Sequence, residues 1–86
     1  MEYIITFTNT SFAIKAEKCL LGEKIQVGVL PLPSQISAGC GLCLRIKPEE
    51  IQQATALLLQ AQVGEMGLYS RWMENGRHIY KEEESA

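Results

Sequence analysis

Strand-length and helix-length apolar patterns alternate along this chain, and their order constrains the fold more than any single residue does. Tyr3, Ile5 and Phe7 alternate with Ile4, Thr6 and Thr8, the period of a strand with one well-buried face. Asn9, Thr10 and Ser11 then supply capping side chains. Phe12, Ala16, Cys19 and Leu20 share one helical face, which Gly22 closes. Ile25, Val27 and Val29 alternate with Gln26 and Gly28 until Pro31 and Pro33, which have no N–H for a ladder and are expected to stop the strand. Leu42, Leu44 and Ile46, alternating with Cys43 and Arg45, predict a third strand. Pro48-Glu49-Glu50 opens a second helix with acids at its positive end, and Ile51, Ala54, Leu58 and Ala61 form its apolar stripe up to Gly64. A strand over Met66 to Met73 leads into Asn75-Gly76, the strongest short hairpin signal, with Glu74 opposite Arg77 and Trp72 opposite Ile79. The hairpin's second strand is expected over Arg77 to Lys81.

The order β-α-β-β-α-β predicts an α+β, ferredoxin-like sandwich: an antiparallel sheet with both helices on one face and an added hairpin strand. On 86 residues this is one domain with a simple core. We expect it over residues 1–81, with 82–86 as a flexible acidic tail. In such a sheet the first and third strands are central antiparallel neighbours. The Thr8–Ser11 turn then lies close to Cys40.

Net charge is −2, and the eight Lys and Arg residues are scattered, which gives no footprint for nucleic acid. Glu2 stands where a signal peptide carries basic residues, and the apolar run after it is too short to span a membrane. A cytoplasmic protein is expected, with no membrane partner. Three cysteines, an odd number, fit free thiols in a reducing compartment. Asn9-Thr10-Ser11 spells a glycosylation sequon, but without an export signal it reads as a helix cap.

Chemistry centres on Cys40, set between Gly39 and Gly41 in a loop stiffened by Pro31-Leu32-Pro33 and carrying Ser37. Flanking glycines remove Cβ atoms that would crowd an incoming group, and they permit positive φ, so that N–H groups can converge on an anion. A helix N-terminus beside a thiolate lowers its pKa from about 8.5 into the range of about 3.5–7.5. Cys40 is therefore expected to be at least partly exposed, within reach of the Thr8–Ser11 turn, and faster to alkylate than Cys19. A Cys40 sealed in the core would remove the basis for thiol chemistry. Cys19, on the helical stripe, is expected to be a buried core residue.

Cys40-Gly41-Leu42-Cys43 is also a Cys-x-x-Cys string. If the chain is extended from Gly41, the two Cα atoms lie about 10 Å apart with side chains on opposite faces, whereas a disulfide needs about 7 Å or less. Cys43 is either exposed on the face away from the helices or covered there by a partner, and Arg45 on that face reads as a solvated strand residue. The remaining metal-ligand candidates, Cys19 and His78, fall on a helix and a distant hairpin, so neither a metal nor a cofactor is expected. His78 reads as an exposed strand residue rather than a base for Cys40. The Leu57-Leu58-Leu59 run, with Tyr69 and Trp72, exceeds one stripe; with a sheet edge at the second strand or the terminal hairpin, it leaves a homodimer open.

Three groups of residues together resemble a small bacterial family of selenium/sulfur carrier proteins, over roughly residues 3 to 72. They are Thr10-Ser11-Phe12-Ala13-Ile14-Lys15-Ala16-Glu17 after the first strand, Val29-Leu30-Pro31-Leu32-Pro33, and Ile36-Ser37-Ala38-Gly39-Cys40-Gly41-Leu42. The resemblance implies a covalent carrier rather than a complete enzyme. Cys40 would hold sulfur or selenium as a persulfide or selenosulfide, taken from a cysteine or selenocysteine desulfurase-type donor and passed to an accepting enzyme. Gly39, Gly41, Ser37, Asn9, Thr10 and Ser11 would form the supporting loop and turn. Cys43 departs from a one-cysteine carrier and leaves a resolving role open. A thiol-redox module using Cys40 and Cys43, or a non-catalytic interaction or regulatory domain, are the alternatives.

Overall fold

A computed structural model of the chain describes residues 1–37 and 39–83. Its strands are β1 (Glu2–Phe7), β2 (Val27–Pro31), β3 (Leu42–Ile46), β4 (Met66–Glu74) and β5 (Arg77–Glu83), and its helices are α1 (Thr10–Gly22) and α2 (Ile51–Ala61). The sheet has the order β2-β3-β1-β4-β5 and every neighbouring pair is antiparallel. This is the ferredoxin-like arrangement with one extra strand at the β4 edge.

Alternation along each strand sorts side chains onto two faces. Ile5, Phe7, Leu44 and Ile46 join Ala13, Ala16 and Leu20 of α1 and Ala54 and Leu58 of α2 in the main core, so both helices cover one face. The opposite face carries Ile4 and Cys43, covered by Leu32 and Ile36 from the β2–β3 loop with Leu30, Tyr69 and Tyr80 beside them. No helix is long and apolar enough to cross a membrane, among the described residues.

Asn9 caps α1, its side-chain oxygen accepting from Phe12 N–H at 2.9 Å, as the sequence predicts. The helix ends at Gly22, as expected, although the glycine is not the residue that closes it. Lys24 takes the left-handed conformation at φ 62°, Lys24 N–H donates to Leu21 C=O, and Ile25 N–H donates to Leu20 C=O. That is a Schellman closure with Ile25 and Leu20 as its apolar contact, both buried. Ile25 is thereby spent on the helix end, and β2 starts later, at Val27.

β2 stops at the prolines, as expected, with Pro31 as its last residue, opposite Leu42; β2 is an edge strand, where a missing N–H disrupts no ladder. Pro48–Glu50 forms a separate 3₁₀ turn ahead of α2. Asn75 (φ 51°) and Gly76 (φ 76°) form the hairpin turn, with Glu74 opposite Arg77 and Trp72 opposite Ile79, as expected. β5 runs beyond Lys81: Glu82 and Glu83 pair with Tyr69 and Leu68, so they belong to the sheet and not to a tail. The rest of the expected tail, 84–86, lies outside the described residues.

Candidate functional site

Cys40 ends the β2–β3 loop two residues before β3, and the fold brings it to the first turn of α1. Its thiol lies 3.8 Å from Thr10 Oγ1, to which it donates, and Sγ accepts from Leu42 N–H at 3.4 Å. Gly39 packs on the same turn, so closely that a Cβ built there would overlap the Thr8 carbonyl oxygen. The expected meeting of Cys40 with the Thr8–Ser11 turn is therefore present. Leu32 N–H donates to Gly41 C=O at 3.0 Å and closes the neck of the loop.

Exposure is where expectation and structure part. Cys40 is only 1% exposed and belongs to the helix-side core, although Gly39 and Gly41 on either side are exposed. Glycine flanks open the backbone to solvent; they do not decide where the side chain between them points. As folded here, the thiol is closed to a reagent, so the expected structural basis for thiol chemistry, an accessible Cys40, is absent from the closed form. Gly41 also has no positive φ, so it makes no left-handed anion cradle there.

Cys43 is fully buried on the other face, its thiol donating to Pro31 C=O at 3.8 Å. Burial pushes its pKa up, against the pull of nearby Arg71 and with a smaller push from Cys40. The two cysteines thus sit in different clusters on opposite faces, as their spacing predicts. Cys19 is half-buried beside the main core rather than sealed in it, and His78 is exposed on β5. Asn9, Thr10, Ser11 and Ser37 are all exposed around the Cys40 turn. Ser37 and Gly39 line a cavity of about 250 Å³ with Thr6, Thr8, Glu65 and Tyr69. Among the described residues, no group of three His, Cys, Asp or Glu side chains is placed to hold a metal ion.

Two further features were missed from the sequence. Ile36 is buried while Ser34, Gln35 and Ser37 around it are exposed, so this one side chain anchors the loop to Ile4 and Cys43. A lone apolar residue in a polar run is the signal that would have shown it. Glu2 pairs with Arg71, its hydrogen-bonded partner on β4, and with Arg45 of β3 at 3.3 Å. Arg45 is exposed on β3, as expected, and is also an ion-pair partner lying over Gly28, where a Cβ would come within 2.8 Å of its guanidinium.

A family model described as "Putative Se/S carrier protein-like" matches residues 2–70, which takes in the loop, Cys40 and both helices. The chain belongs to this Se/S carrier-like family. The match ends within β4, so β5 lies beyond what the family model covers. No curated protein and no solved structure matches the chain.

Proposed function

We propose that this Se/S carrier-like protein holds sulfur or selenium on Cys40, as a persulfide or selenosulfide, between a desulfurase-type donor and an accepting enzyme in the cytoplasm. Membership of the family over residues 2–70 carries this reading. Loading would follow thiol exchange. The Cys40 thiolate attacks the outer sulfur of a donor persulfide, the donor's S–S bond breaks, and the donor thiolate leaves as the new S–S bond forms on Cys40. Delivery repeats the step with the acceptor as nucleophile. The supporting groups would be Gly39, Gly41 and Ser37 in the loop and Asn9, Thr10 and Ser11 in the turn.

Because Cys40 is buried, loading requires the loop from Leu32 to Gly41 to lift first. The neck bond and the Ile36 anchor hold it down, and local openings of this kind occur well below the free energy of global unfolding. The same burial favours a second reading, a non-catalytic ferredoxin-like interaction or regulatory domain in which Cys40 is a core residue. A redox pair of Cys40 and Cys43 is disfavoured by their placement on opposite faces.

Incubation with a cysteine or selenocysteine desulfurase and its substrate, followed by mass spectrometry, tests the proposal. Gain of one sulfur or selenium atom, abolished by Cys40→Ser and retained in Cys19→Ser, is the expected result. A longer-lived adduct in Cys43→Ser would mark Cys43 as a resolving thiol. No adduct on folded protein from several donors would leave the interaction domain, and a reversible Cys40–Cys43 disulfide would establish the redox module.

A further inference from the structure

Among the described residues β5 is an unpartnered edge strand, and its sequence Arg77-His78-Ile79-Tyr80-Lys81-Glu82-Glu83 has basic residues at one end and acids at the other. We propose that it pairs antiparallel with β5 of a second copy of this chain, about a two-fold axis at Tyr80, to give one continuous sheet.

The backbone limits which registers are open. The two-residue turn is closed by the Glu74–Arg77 pair, so Arg77, Ile79, Lys81 and Glu83 direct their N–H and C=O groups to β4. His78, Tyr80 and Glu82 direct theirs to the free edge. A second copy can therefore bond only where these three meet one another, and the symmetric registers that bring them together at two or more positions are centred on Ile79, Tyr80 or Lys81.

Charge then selects among the three. Centring on Ile79 puts Arg77 opposite Lys81 twice. Centring on Lys81 puts that lysine opposite itself. Centring on Tyr80 puts Arg77 opposite Glu83 and His78 opposite Glu82, each twice, with Tyr80 facing its counterpart. The other edge is a poorer template, because β2 ends in Pro31, which has no N–H to give.

Sedimentation equilibrium on the full chain tests the pairing, with circular dichroism confirming that each variant is folded. Wild type should form a dimer that dissociates on dilution. Arg77→Glu and Glu83→Arg should each weaken it by about tenfold or more, because an attractive cross-strand pair becomes repulsive at two symmetric places. The double variant Arg77→Glu/Glu83→Arg should restore it. Register is read separately: opposed hydrogen-bonded residues have Cα atoms about 5.5 Å apart, within disulfide range. Tyr80→Cys should thus give an intermolecular disulfide at the substituted position under mild oxidation, and His78→Cys should not. A wild type that stays monomeric at the highest concentration, no rescue by the double variant, or equal cross-linking at 78 and 80 would overturn the proposal.

Discussion

A methyl group at position 39 would overlap the Thr8 carbonyl oxygen, so the turn into α1 and the loop meet only through a glycine. Gly39→Ala should push the loop off this turn, lowering stability by about 1–3 kcal/mol, and raise the alkylation rate of Cys40 in the native protein. Unchanged denaturation midpoint and thiol reactivity would show that the contact yields freely. At rest, with the loop closed, half-buried Cys19 should alkylate faster than Cys40, the reverse of the order that the sequence suggested. Cys43 has a linked consequence. Burial raises its folded pKa, so above the ordinary thiol pKa of about 8.5 the unfolded chain loses the proton first and stability falls as pH rises further. Cys43→Ala should flatten that alkaline decline in urea midpoints measured from pH 7 to 10. At this scale the sequence revealed which residues meet, Cys40 with the Thr10 turn and Cys43 on the opposite face. It did not reveal burial, because that depends on how a ten-residue loop folds back on the sheet.

Among the elements, the loop from Leu32 to Gly41 behaves as a cover tied at its neck and at Ile36. Ile36→Ala removes the anchor without touching the main core and should speed Cys40 alkylation by about tenfold or more. The rate should be insensitive to low urea, the mark of a local opening that exposes little surface. A rate that climbs with urea as steeply as global unfolding would mean that Cys40 opens only when the whole domain does. Leu58→Ala, a main-core cavity, serves as the control that lowers stability without loosening the loop. In the hairpin, Gly76 at φ 76° requires a residue without Cβ, and Gly76→Ala should lower stability by about 1–2 kcal/mol in a denaturant titration. Element order and the register of the β4–β5 hairpin were legible because period and turn chemistry agree locally. Ends were less so: α1 closes on Lys24 and Ile25, a Schellman geometry that no glycine announces, and β5 extends through two glutamates that composition assigns to solvent.

Over the whole molecule, the ion pairs of Glu2 tie β1 to both of its neighbours, through Arg71 on β4 and Arg45 on β3. Burial works to raise the Glu2 pKa, but the Arg71 hydrogen bond and the charges of Arg71 and Arg45 outweigh it and hold the carboxyl below its ordinary value. A lowered folded pKa means stability that is present above the unfolded value, about 4.3, and lost as pH falls through the folded one. Glu2→Gln should remove that acid dependence between about pH 5 and 3, as thermal midpoints across the range would show. The overall topology was legible because few folds accept this order of elements on so short a chain. The covered second face was not, because only two apolar residues of the loop, Leu32 and Ile36, mark it. The place of β1 also sets the timing of assembly. Of the five strands it is made before the others, yet it lies at the centre of the sheet between β3 and β4, so its second partner is made only when residues 66–74 appear. Until then one flank of the central strand has no ladder, and the nascent chain must wait for contacts between residues 2–7 and 66–71.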